Sequence, residues 1–226
     1  MANAWKKYSD TKVVFDFTEG YKDFISTCKT ERECVRKSIE IAKAHGFKDI
    51  NYYIDGKIKL KPNDKVYYDN MGKSLALFII GSEPIEKGMT ILGAHVDSPR
   101  LDLKQHPLYE DKEIALLDTH YYGGIKPYQW VTLPMALHGV VCKKDGTKVE
   151  VVIGEDDNDP VVGISDLLIH LAKDQMGKKG SNVVEGEDLN VTVGSLPLSS
   201  EEKEAVKANV LKLLKDKYDI EEDDFI

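Results

Sequence analysis

Thr90-Ile91-Leu92-Gly93-Ala94-His95-Val96-Asp97-Ser98-Pro99 decides how this 226-residue chain is read. Thr90 to Ala94 is a short apolar run, as a buried strand would be, and it leads directly into His95. In an open α/β sheet, functional groups gather at the carboxyl ends of strands, where His95 would emerge. A neutral imidazole is a good zinc ligand. A metal-bound imidazole commonly donates its other ring N–H to a carboxylate, which fixes the tautomer and raises basicity. Positions i and i+2 of an extended segment point the same way, so Asp97 is placed to orient His95. Pro99 then forces a turn or an extended exit. A bare H-x-D also arises by chance, and a catalytic zinc needs three protein ligands. No obvious set accompanies His95 in this chain.

Upstream, Leu75-Ala76-Leu77-Phe78-Ile79-Ile80 is continuous and apolar, the pattern of a strand covered on both faces. Gly81-Ser82-Glu83-Pro84 breaks it, and Lys65-Val66-Tyr67-Tyr68 is a further extended run. The first clear helix begins near Thr30, where Thr30-Glu31-Arg32-Glu33 has capping-box spacing. Val35, Ile39 and Ala42 share its apolar face, and Gly46 is its stop. His45, just before that stop, reads as a partner of the helix end. Helix, strand, turn and strand together indicate an α/β domain.

Downstream of about Lys104 the texture turns β-rich. Ile114–Leu117, Val140–Cys142, Val149–Ile153 and Val191–Val193 are short strand-like runs between Gly, Pro and Asp clusters. Lys144-Asp145-Gly146-Thr147 reads as a hairpin turn. Residues 154–160 form an acidic loop. Two helices interrupt the strands. One is expected from Ser165 to Met176 with Leu167, Leu168 and Leu171 inward. The other is expected from Ser199, where Ser199-Ser200-Glu201-Glu202 has capping-box spacing. The domain boundary falls near residue 104, giving domains of 1–104 and 105–226. The β-rich domain reads as incomplete at its end, because an apolar run begins at Phe225-Ile226 where a domain normally ends on a polar tail.

Composition excludes several classes. The net charge is −8, and Lys residues are interspersed with acids rather than gathered on a basic face, which argues against a nucleic-acid partner. No run approaches the ~18 apolar residues that span a membrane. With 42% hydrophobic residues there is material for a core. Cys28, Cys34 and Cys142 are an odd set without C-x-x-C, which argues against a disulfide framework or a thiolate zinc site and favours a reducing cytoplasm. Cys28 and Cys34, six positions apart, are expected to face different ways. The remaining histidines, His106, His120 and His138, show no paired spacing. Gly123-Gly124 lacks the companions of a phosphate loop and reads as a turn or close backbone approach. No G-x-S-x-G supports a serine hydrolase. His170, taken alone, reads as a packed or half-exposed histidine beside an apolar helix face.

Three segments together resemble the M18 (aspartyl aminopeptidase-like) family of zinc aminopeptidases. Gly93-Ala94-His95-Val96-Asp97-Ser98-Pro99 is similar to its G-A-H-T-D-S-P signature, Tyr121-Tyr122-Gly123-Gly124-Ile125 to its Y-G-G-G-I segment, and Ile164 to Leu171 to its I-P-H-L-A-I-H-L segment. They fall in the family's order with nearly its spacing. The resemblance implies the amino-terminal part of a zinc-peptidase α/β/α domain followed by a β-rich inserted dimerisation domain with helices. It implies a two-zinc site acting on peptides, with His95 as a ligand of one zinc and Asp97 as its supporting carboxylate. It also implies that His170 reaches into a partner subunit's active site, within a dimer-based homo-oligomer that extends in the family to a dodecamer. The remaining ligands, a bridging Asp, a Glu pair including the base, a further carboxylate and a late His, are expected beyond Ile226. The family's W-x-x-W-F-D-R-D-L departs here to Lys126-Pro127-Tyr128-Gln129-Trp130-Val131-Thr132-Leu133-Pro134, and its early S-P-x-x-F-H is not visible, so a preference for acidic N-terminal residues does not carry over. The rival reading is a non-catalytic oligomerisation or interaction protein derived from such a peptidase. An unrelated α/β hydrolase with a different metal set is a third.

Overall fold

The computed structural model describes residues 3–224, so Phe225-Ile226 lie outside the described residues. The fold is mixed α/β and divides into two compact units at Ser98/Pro99. A boundary at 104 would cut the strand that opens the second unit.

The first unit contains α1 (Lys12–Thr27), α2 (Glu31–Ala44), β1 (Lys48–Asp49), α3 (Ile50–Asp55), β2 (Lys65–Asn70) and β3 (Ser74–Ile79). Its sheet runs β1-β2-β3. β1 is parallel to β2, with Lys48 opposite Val66. β2 and β3 form an antiparallel hairpin in register from Lys65/Ile79 to Asn70/Ser74. The Thr30–Glu33 capping box starts α2, and the His45 ring Nδ1 lies 2.8 Å from the Ile41 carbonyl at its end. Val35 and Ala42 of α2, Tyr53 of α3 and Val66 and Tyr67 of β2 are buried. α1 has no buried residue.

Two expectations in this unit fail. Leu77, Phe78 and Ile79 are exposed rather than covered on both faces. Thr90–Ala94 pairs with no strand among the described residues, and Ile91 and Leu92 are 78% and 94% exposed. Apolar character makes a segment fit to be a strand, but only a neighbouring backbone makes it one.

The second unit contains β4 (Arg100–Asp111), β5 (Ile114–Tyr122), β6 (Pro134–Met135), β7 (Leu137–Cys142), β8 (Lys148–Ile153), β9 (Val162–Gly163), α4 (Lys173–Met176), β10 (Val191–Gly194) and α5 (Ala205–Tyr218). An antiparallel sheet runs β4-β5-β10-β9-β6, and β7-β8 is a separate hairpin. The β4–β5 register breaks between Leu103 and Leu108. Pro107 falls in that break, where a strand tolerates a residue without an N–H. The Lys144–Thr147 turn joins β7 to β8, with the Thr147 N–H donating to Asp145 Oδ1 at 2.8 Å. Leu189, Val162, Ala115 and Val206 centre the core. Thr119 is buried there with its hydroxyl donating to the Leu189 carbonyl at 2.6 Å.

The helices differ from expectation. Only Lys173–Met176 is helical of the stretch 165–176, and Leu167, Leu168 and Leu171 are exposed. Asp166 Oδ1 accepts from the Leu167 N–H and from Gln175 Nε2, a local bond that competes with the helical turn. An amphipathic pattern yields a helix when its apolar face is buried, and here that face has nothing described to bury against. α5 begins at Ala205 rather than Ser199. Its first N–H groups are capped from another element: Glu110 Oε2 on β4 accepts from Val206 and Lys207 at 3.0 and 2.9 Å. The acidic loop is tied down by Asp159, which accepts from the Gly154 N–H at 2.9 Å and from Lys217 of α5 at 2.6 Å.

Candidate active site

His95 and Asp97 lie at the end of the first unit, outside any helix or strand. The His95 ring Nδ1 is 2.9 Å from the Asp97 carbonyl oxygen and 3.2 Å from Asp97 Oδ1. Nδ1 is thus the ring nitrogen that faces Asp97, and Nε2 is the one not in contact with it. The His95 side chain is 82% exposed. One imidazole and one carboxylate are thus brought together. Among the described residues, no group of three or more His, Cys, Asp or Glu side chains could hold a metal ion. A catalytic zinc takes three protein ligands, so these residues fit one ligand position and do not make a site by themselves.

The other two motifs lie in the second unit. Tyr121 and Tyr122 end β5, and Gly123 follows with φ 77 in left-handed backbone, where a side chain is strained. The Tyr121 ring is so close to Gly186 that a Cβ there would sit 2.7 Å from Cε1. That close approach explains a glycine which the sequence alone does not mark. Arg100 opens β4 opposite Tyr122. Its Nε donates to Asp102 Oδ1 at 2.7 Å, and its guanidinium lies 4.2 Å from the Tyr122 ring centroid. Sequence reasoning passes over these contacts; the i, i+2 spacing of Arg100 and Asp102 on a strand is the available signal. Lys104 bonds Glu187 at 3.0 Å and pairs with Asp118 at 3.2 Å, and these carboxylates, Glu187 first, hold its ammonium above the ordinary value. His170 lies in an exposed turn beside Leu171, not on a helix.

The model of the family described as aminopeptidase I zinc metalloprotease (M18) matches residues 24–226. The chain belongs to the M18 peptidase family. A relative from Clostridium acetobutylicum, named a probable M18 family aminopeptidase 1, is 59% identical over 99% of this chain and 49% of its own length. The crystal structure of an M18 aminopeptidase from Thermotoga maritima superposes with a TM-score of 0.90 at 43% identity, covering 99% of this chain and 48% of that one. The S. cerevisiae mApe1 dodecamer shares the fold at 20% identity and a TM-score of 0.62. This M18 chain spans about half the length of the curated relatives it matches. No helix among the described residues is long and apolar enough to cross a membrane.

Proposed function

We propose that this M18 chain supplies the amino-terminal part of a two-zinc aminopeptidase that removes N-terminal residues from peptides. The observation that carries the reading is the His95–Asp97 pair, 3.2 Å apart within the G-A-H-V-D-S-P segment. His95 Nε2 is the proposed ligand of one zinc, and Asp97 fixes the ring from behind. Bound zinc supplies an activated water and polarises the peptide carbonyl. The general base and the remaining ligands come from the part of the relatives' length that this chain does not span. Alone, the chain is expected to bind zinc poorly and to hydrolyse nothing.

The domain arrangement in this reading has the unit up to Ser98 in the catalytic domain and the unit from Pro99 in an inserted dimerisation domain. His170 then reaches a partner subunit's active site in a dimer-based homo-oligomer. Support comes from the exposed apolar residues flanking it, Leu167, Leu168, Ile169 and Leu171, 55% to 71% exposed. The fold shared with the mApe1 dodecamer is consistent with larger assembly. A cytoplasmic location fits three free cysteines.

The test is zinc content and aminopeptidase turnover, measured on this chain and on the protein encoded by the complete reading frame. That frame is expected to carry Asp, a Glu pair, Asp and His downstream of Ile226. In the longer protein, His95→Ala should abolish binding of one zinc, and Asp97→Asn should weaken zinc affinity about 10–100-fold. His170→Phe should lower turnover while zinc content holds. Stoichiometric tight zinc in this chain alone would show that the ligands are misplaced. A frame that stops at Ile226 would leave the non-catalytic interaction protein as the reading.

A further inference from the structure

We propose that Cys28 and Cys34 form a dithiol site that closes to an intramolecular disulfide by exchange with a low-molecular-weight disulfide such as oxidised glutathione. Closure would tie the end of α1 to the first turn of α2. Six positions apart, the two residues would face different ways on one continuous helix. They do not share one. Cys28 is the extended residue that ends α1, with φ −115 and ψ 95, and its N–H donates to the Phe24 carbonyl. The α2 capping box then folds the connection back. Glu33 Oε2 accepts from the N–H groups of Lys29 and Thr30 at 2.8 and 2.9 Å, which holds residues 29 and 30 over the helix start. The reversal lays the Cys28 thiol against α2, with Sγ 3.7 Å from the carbonyl of Glu33, the residue before Cys34.

Three properties make this a reactive pair rather than two packing residues. The Cys28 sulfur already lies against the residue that precedes Cys34, so closure needs little chain movement and little loop entropy. Both thiols are half-buried, hence within reach of a small reagent. The bond would also have mechanical effect, because α1 buries no residue and is held to its surroundings weakly. Burial and then the neighbouring Cys28 push the Cys34 thiol up to about 11, which leaves Cys34 for the second step. The Cys28 thiolate attacks one sulfur of the reagent, its S–S bond breaks, and one glutathione thiolate leaves. Cys34 then loses its proton to solvent and attacks the Cys28 sulfur, releasing the second glutathione. Two protein thiols are oxidised, and the reagent is reduced to two thiols.

The test treats the full chain with oxidised glutathione, blocks the remaining thiols with N-ethylmaleimide and maps tryptic peptides under non-reducing conditions. Trypsin cuts after Lys22, Lys29, Arg32 and Arg36, so closure joins peptide 23–29 to peptide 33–36. The expected result is that joined species, lost on reduction, with Cys142 outside it. Cys28 and Cys34 each carrying maleimide, or each carrying glutathione, would overturn the proposal. In Cys34→Ser the second step is removed, so Cys28 should retain glutathione; an unmodified Cys28 in that variant would equally overturn it.

Discussion

Asp219 stands between two lysines. Its carboxylate accepts from Lys215 at 2.5 Å and from Lys143 at 3.0 Å, and these bonds, Lys215 first, lower its pKa to about 2. A carboxyl depressed on folding stabilises the fold at and above its ordinary value of 3.8, and that contribution is lost as pH falls towards about 2. Asp219→Asn should therefore be less stable than the parent at neutral pH, with the gap closing across that window. Denaturant titrations at a series of pH values check this. Asp219 and Lys215 are exposed, so the gap should also narrow in high salt. Leu189 is the contrasting case. It is 0% exposed, and Leu189→Ala should cost about 2–5 kcal/mol, read as a lower denaturation midpoint with an unchanged slope. The His95–Asp97 contact was legible because the two residues stand two positions apart in sequence. The approach of Cys28 to the first turn of α2 was not, because helical spacing does not apply across a chain reversal.

Among the elements, those with local punctuation were legible. The Thr30–Glu33 box starts α2, and Asp145-Gly146 turns β7 into β8, because both signals act within four residues. Thr30→Ala should remove one cap bond and cost about 1 kcal/mol. α1 was missed: Val13, Val14, Thr18 and Thr27 are β-branched and Gly20 interrupts it, so propensity argues against the helix that forms. The stretch 165–172 failed in the opposite direction, with good periodicity and no described surface to bury it. α5 was displaced by six residues because its cap comes from Glu110, distant in sequence, while Ser199-Ser200-Glu201-Glu202 offers a nearer pattern that the structure does not use.

For the whole molecule, membership of the M18 family was legible from three motifs in order, and the family match over residues 24–226 establishes it. The division at Ser98/Pro99 lies six residues from the boundary read in the sequence, because a texture change registers only after β4 is under way. The candidate site was legible only in part. His95 and Asp97, the proposed ligand and its orienting acid, are local in sequence, whereas a complete zinc set is gathered from distant segments. The exposed apolar face around His170 belongs to this scale as well. Leu168→Asp should weaken self-association while leaving the circular dichroism spectrum intact, as read by sedimentation velocity. An unchanged oligomeric state would remove that face from the interface.

The carboxylate of Glu110 that caps α5 also sets an order of events. Its two bonds span 96 and 97 positions of sequence, so α5 has no N-terminal cap until β4 has docked. A peptide covering α5 alone should be poorly helical, since a fourteen-residue helix without a cap is marginal in water. The expected order on the folding path is therefore the β4–β5 hairpin first, with the last long helix condensing onto it. Slowing the hairpin should delay the helix, whereas weakening the helix should leave the hairpin's rate untouched.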